Sequence, residues 1–201
     1  MMRLILIRHG VTEWNKDGRY CGSRDIGLSR EGRSQAELLS ASFSAGRFDK
    51  IYCSDRKRAT QTARILFKKA KIIQNRGLRE IDFGALEGLR HEEIVVKYSS
   101  AYKKWLKDPF VNNIPRAEPM NGFKKRVEGA LSKIVRSNSG KTVAVVCHGG
   151  VIGIFLNGIL KNRGFWRCVP LPASVTVAEY ENGKLRLKKF NDTAHLKVNY
   201  E

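Results

Sequence analysis

The sequence predicts an α/β fold: a three-layer α/β/α sandwich on a mostly parallel sheet, with one antiparallel element near the C-terminus and a lid-like insert at about 98–122. Three observations predict it. Two short, continuous apolar runs, Leu4–Ile7 and Val143–Cys147, read as strands buried on both faces. Amphipathic helical stretches alternate with them, as a parallel sheet requires. Near the end of the chain, two alternating runs, Val175–Tyr180 and Leu185–Phe190, flank Glu181-Asn182-Gly183-Lys184, an Asn-Gly hairpin signal.

In chain order, Leu4–Ile7 is the first strand. Leu28–Phe43 reads as a helix capped near Ser29, with Ala36, Leu39 and Phe43 on one stripe. Ile51–Cys53 is a weaker strand, and a helix over Arg56–Lys69 follows Asp55, with Ala59, Ala63 and Leu66 inward. Ile72-Ile73 is another weak strand. The segment from Tyr98 to Gly122 is polar, aromatic and loop-like, broken by Pro109, Pro115 and Pro119. Loops of that length are often lids. Phe123–Val135 turns Val127, Leu131, Ile134 and Val135 inward, and Val151–Leu160 is so apolar that it reads as a buried helix.

Bulk properties bound the function. The 201 residues suit one domain carrying this insert. No apolar run approaches the roughly 20 residues of a membrane span, and no signal peptide is recognisable, so a cytoplasmic protein is expected. Four scattered cysteines without a CxxC pair offer neither a zinc ribbon nor a redox motif. The net charge of +19 attracts anions, yet its lysines and arginines are spread along the chain and no nucleic-acid-binding motif accompanies them. Specific nucleic-acid recognition is therefore not expected. A basic surface around an anion-processing site accounts better for the charge, and nothing specifies an oligomeric state.

The two strongest strands end alike. Leu4–Ile7 runs into Arg8-His9-Gly10, and Val143–Val146 into Cys147-His148-Gly149-Gly150. Ligands of parallel α/β sheets bind at the carboxyl ends of strands, so both histidines belong to the functional edge. Glycine lets backbone amides approach a ligand, and a helix starting after Gly150 aims its free N–H groups at the same place. With Arg8 beside His9, the composition is that of a phosphate site. Two further segments reach the same edge: Ser54–Ala63, carrying Arg58 in the first helical turn, and Leu78–Gly84, where Glu80 interrupts a partly apolar run.

In these blocks the chain resembles the histidine phosphatase superfamily, which includes the phosphoglycerate mutases. The first block is Arg8-His9-Gly10-Val11-Thr12-Glu13-Trp14-Asn15, continuing through Gly18, Gly22, Asp25, Leu28-Ser29, Gly32 and Gln35-Ala36. Ser54–Ala63, Leu78–Gly88, His148-Gly149-Gly150 and Asn191–Leu196 follow in register. The chain departs from common members at Val11 (often Glu), Leu86 (often Trp) and Asp55-Arg56 (often Pro-Leu). Arg116–Pro119 matches a Gly-Glu-Ser segment only loosely, so Glu118 stays outside the site.

The resemblance implies a metal-independent phosphatase with no cofactor, acting on a small phosphorylated metabolite. His9 would accept the phosphoryl group as a neutral imidazole, its other nitrogen held by a backbone carbonyl. Arg8 and Arg58 would grip the phosphoryl oxygens, and a protonated His148 would stabilise transferring charge. Asn15, the Gly22 backbone and Gly149 would add donors. Glu80, its pKa raised beside a dianion, would protonate the leaving group and then activate water. The short chain and its ending look most like the α-ribazole and broad-specificity phosphatases, which makes α-ribazole 5'-phosphate a candidate substrate. The alternatives are a 2,3-bisphosphoglycerate-dependent phosphoglycerate mutase and a catalytically silent anion-binding protein. Lys103, Lys104, Arg116, His91 and His195 are candidates for lining the opening.

Overall fold

The computed structural model describes residues 1–43, 48–160, 164–181 and 183–196. Its strands are β1 (Met2–Arg8), β2 (Lys50–Cys53), β3 (Ile72–Gln74), β4 (Thr142–Cys147), β5 (Val175–Glu181) and β6 (Lys184–Asp192). They form one sheet in the order β3-β2-β4-β1-β5-β6. Pairs β3–β2, β2–β4 and β4–β1 are parallel, and β5 runs antiparallel to both β1 and β6. The antiparallel element is thus β5 alone. Gly183 takes the left-handed conformation the hairpin turn needs (φ 75°), while Asn182 lies outside the described residues.

Alternation along the central strands feeds two cores, because successive side chains of a strand point to opposite faces. Leu4, Leu6, Val143, Val145 and Cys147 pack on one face against helices α5 (Met120–Arg136) and α6 (Gly149–Ile159). Ile5, Ile7, Ala144 and Val146 face α2 (Arg30–Ser42) and α3 (Lys57–Leu66) on the other. The short α1 (Glu13–Lys16) leads from β1 towards α2. The result is the three-layer sandwich, with both strand ends that carry histidine at one edge.

The insert departs from the loop-like reading. Helix α4 (His91–Lys107) runs through its first half, kinked at Tyr98 (φ −133°, ψ 24°). Pro109 follows the helix end, where it breaks nothing. Tyr102 and Trp105, three residues apart, join Leu86, Ile94 and Ile114 in a third, separate core. Only the stretch between α4 and α5 is irregular, and α5 begins at Met120 because Pro119 serves as its N-cap. Helix α6 starts at Gly149, two residues earlier than the apolar run suggested. Among the described residues, no helix is long and apolar enough to cross a membrane.

Candidate active site

The turn after β1 is clamped from both sides. His9 N–H donates to Cys147 O (3.0 Å) and His9 O accepts from Ala173 N–H (3.0 Å), so β4 and the turn that precedes β5 fix its backbone. Thr62 ties α3 to the same turn, accepting from Gly10 N–H (3.2 Å) and donating to Arg58 O (2.8 Å). The His9 ring is 4% exposed, and its Nδ1 lies 2.7 Å from Gly10 O. A carbonyl can only accept, so Nδ1 carries the proton and Nε2 keeps its lone pair. Burial, with Arg58 and Arg8 close by, holds the His9 pKa well below the ordinary histidine value.

His148 caps α6, its ring centroid 5.1 Å from that of His9. Arg58 Nε donates to its Nδ1 (3.2 Å), and Nε2 meets Ser54 Oγ at 2.9 Å. With Nδ1 accepting, the single proton of a neutral ring sits on Nε2 and donates to Ser54. Burial first, then Arg58, His9, Arg8 and Arg56, push its pKa well below the usual value. Accepting from Arg58 and fully buried among cations, the ring is neutral here; the expected protonated His148 is the form that a bound phosphate dianion would favour.

Arg58 is 1% exposed, and its guanidinium reaches backward as well as inward. Nη1 donates to Arg24 O (2.9 Å) and Nη2 to Gly22 O (2.8 Å). Those carbonyls belong to a loop organised by Glu87, whose carboxylate accepts from the N–H groups of Gly22 (3.0 Å), Ser23 (2.7 Å) and Phe83 (3.1 Å). The Gly22 N–H, expected to face the ligand, is thus occupied by Glu87, and it is the Gly22 carbonyl that serves the site.

Glu80 stands at the wall of a cleft of about 290 Å³ that Arg8, Asn15, Gly149 and Gly150 also line. Its carboxylate accepts from Gly150 N–H (2.9 Å) and Ile81 N–H (3.0 Å). Desolvation nevertheless raises its pKa, outweighing those two bonds and the pull of Arg58 and Arg8. Of the amides expected to be free at the start of α6, that of Gly150 is thus taken by Glu80. Both helix-opening glycines have a steric reason. A Cβ on Gly150 would sit 2.3 Å from Glu80 Oε1, and one on Gly149 would sit 3.2 Å from Arg8 Nη1. Arg8 donates Nη1 to Pro170 O (2.5 Å), and its buried Nε finds no acceptor among the described residues. Asn15 turns Oδ1 inward to Thr12 N–H (3.1 Å) and Thr12 Oγ1 (3.0 Å), in the capping box of α1.

Arg126 holds the Glu80 segment from behind. Its guanidinium donates to Gly77 O (3.2 Å) and Arg79 O (2.9 Å) and pairs with Glu118 (3.0 and 2.7 Å). Glu118 does not line the cleft. Neither do Lys103, Lys104 or Arg116, which are exposed. His91, exposed at the start of α4, meets Tyr102 Oη (3.2 Å), and His195 lines a different cavity with Arg3 and Lys188. None of these five lines the cleft. Among the described residues, no group of three or more His, Cys, Asp or Glu could hold a metal ion.

Sequence reasoning assigned no role to Ser54, Thr62, Glu87 or Arg126. Ser54, Thr62 and Glu87 sit inside the matched blocks, where position relative to His148, Gly10 and the Gly22 loop was the missing information.

A family model of the histidine phosphatase superfamily (branch 1) matches residues 4–193. The chain is 32% identical over 200 residues to phosphoserine phosphatase 1 of Hydrogenobacter thermophilus, covering 98% of this chain and 95% of that one. It is 31% identical over 162 residues to the adenosylcobalamin/α-ribazole phosphatase of Salmonella typhimurium, covering 79% and 80%. In three dimensions it is similar to Bacillus stearothermophilus YhfR, with a TM-score of 0.90, 30% identity, and 98% and 100% coverage.

Proposed function

The chain belongs to the histidine phosphatase superfamily as a phosphoric monoester hydrolase, and we propose that it hydrolyses a small phosphomonoester, without a metal, through a phosphohistidine on His9. The observation that carries this reading is the state of His9. Its Nδ1 proton is committed to Gly10 O (2.7 Å), its pKa is held low, and Nε2 is left as a nucleophile beside Arg8, Arg58 and His148.

Nε2 attacks phosphorus, a P–N bond forms, and the bond from phosphorus to the leaving oxygen breaks. Arg8 neutralises the phosphoryl charge through donors not already bonded, and Asn15 adds a neutral donor. Arg58 fixes both His148 and the Gly22 loop. A phosphate dianion supplies the counter-charge that His148 lacks, so substrate binding favours its protonation. Glu80, protonated because its raised pKa rises further beside a dianion, gives its proton to the departing alkoxide. The resulting carboxylate then takes a proton from water as that water attacks phosphorus. The P–N bond breaks, and His9 and Glu80 return to their starting forms.

For the leaving group, the branch resemblance favours α-ribazole 5'-phosphate, and the Hydrogenobacter relative adds O-phosphoserine as a second candidate. The test is turnover of p-nitrophenyl phosphate in EDTA by the native protein and by His9→Ala. Native turnover lost in His9→Ala is expected. Turnover retained by His9→Ala overturns the mechanism. Bisphosphate-dependent interconversion of 3- and 2-phosphoglycerate would move the assignment to a mutase.

A further inference from the structure

Beyond the phosphate-handling groups, the same cleft is walled by five aromatic side chains: Tyr20, Phe83, Trp105, Phe165 and Trp166. They touch in sequence. Tyr20 meets Phe83 at 5.0 Å and Trp105 at 6.2 Å between ring centroids, and Phe83 meets Trp105 at 6.1 Å. Trp105 meets Trp166 at 4.7 Å, and Trp166 meets Phe165 at 4.9 Å. All five pairs are edge-to-face, so the rings form a continuous wall rather than an open box. The helix of the insert supplies Trp105, which explains why an aromatic segment lies there.

Two of the three polar atoms of this wall are already paired, Trp105 Nε1 being the third. Tyr20 Oη is bonded to Tyr102 Oη (2.8 Å), and Trp166 Nε1–H donates to Leu106 O (2.9 Å). Arg19, the lining cation on this side, donates Nη1 to Gly88 O (2.6 Å) and lies 3.5 Å from both Asp17 and Glu93. Among the described lining residues the other charges are Arg8 and Glu80, which face the phosphate chemistry. A carboxylate or ammonium on the leaving group would enter this wall without a free counter-ion, at a desolvation cost. A flat ring would stack on it.

We propose that this wall is a leaving-group subsite selecting phosphomonoesters whose alcohol carries an aromatic or similarly flat apolar ring. The proposal rests on the phosphatase reading and deepens it. Aromatic surfaces also bind quaternary ammonium groups, but here the rings close on one another, and Arg8 and Arg19 share the cleft, which disfavours a cation.

The test compares kcat/KM for 2-phenylethyl phosphate, ethyl phosphate, O-phosphoserine and phosphocholine. All four release an alkoxide, so the comparison avoids the large advantage of a phenolate leaving group. The expected preference for 2-phenylethyl over ethyl phosphate lies in the range of roughly 10- to 200-fold that apolar pockets achieve. Trp166→Ala should collapse that ratio and Trp166→Phe should keep most of it. Trp166 is 37% exposed, so its truncation leaves the cores packed, which circular dichroism checks. O-phosphoserine or phosphocholine as the best substrate overturns the proposal, as does a ratio unchanged in Trp166→Ala. Turnover of p-nitrophenyl phosphate without any ring preference overturns the subsite alone. No turnover of any phosphomonoester overturns the phosphatase reading and the subsite together.

Discussion

Replacing Gly150 by alanine puts a methyl group where the Glu80 carboxylate lies. The new Cβ would sit 2.3 Å from Oε1 and 3.1 Å from Cδ, against about 3.4 Å for ordinary contact, with Phe123 Cζ at 3.3 Å on another side. The carboxylate must retreat by about 1 Å, and it loses its bond from Gly150 N–H (2.9 Å) in doing so. A misplacement of that size costs about 10²-fold in rate, or about 2.7 kcal/mol of barrier. The loss should be larger on an alkyl phosphate, which needs the Glu80 proton, than on p-nitrophenyl phosphate, whose phenolate leaves with less help. Gly158→Ala, on the same helix with nothing within 4 Å of its Cβ, is the control and should leave turnover unchanged. A folded Gly150→Ala variant whose alkyl phosphatase activity stays close to native would refute the placement of Glu80 as the proton donor.

Other consequences follow from the same geometry. Glu87→Ala strands the N–H groups of Gly22, Ser23 and Phe83, so unfolding in urea should show a loss of about 1–3 kcal/mol, with kcat/KM falling as Arg58 loses its seat. Glu87→Gln, which keeps one acceptor oxygen, should fall between. Stability should also depend on pH. His9 and His148 are neutral in the fold with lowered pKa values, whereas unfolded histidine titrates near 6.5. Below about pH 6.5 the unfolded chain therefore binds more protons, and stability drops by up to about 1.4 kcal/mol per histidine per pH unit until the folded values are passed. Glu80 opposes this: its raised pKa keeps its proton in the fold, which lowers stability as pH rises above the ordinary carboxyl value. Urea midpoints between about pH 8 and about pH 5 should fall with acid, and less steeply in His148→Asn. An equal slope in that variant would contradict a buried neutral His148.

How much of this was readable from the chain depends on the range of the physics involved. Leu4–Ile7 and Val143–Cys147 declare themselves because strands buried on both faces are continuously apolar. The edge position of His9 and His148 follows from those two strands alone. Helix α4 was hidden because its apolar residues bury against Leu86 and Ile114 in a side core, and because prolines after its end read as breaks within it. The neutrality of His148 and the occupied N–H of Gly22 were not readable, since each depends on a partner distant in sequence, Arg58 and Glu87 respectively. The glycine pair opening α6 looked like a ligand-binding device. Its glycines also meet a steric demand, from Glu80 at Gly150 and from Val169 and Arg8 at Gly149, which no local pattern encodes.

The central claim, that His9 Nε2 takes the phosphoryl group, is tested most directly by trapping the intermediate. Native protein mixed with a phosphomonoester and quenched within the first turnover should carry one phosphoryl group on the peptide containing His9. The adduct should be acid-labile and alkali-stable, as a phosphoramidate is, and Glu80→Gln should accumulate it from p-nitrophenyl phosphate because water activation is impaired. A phosphoryl group on any other residue, or burst release of p-nitrophenol by His9→Ala, would contradict the account.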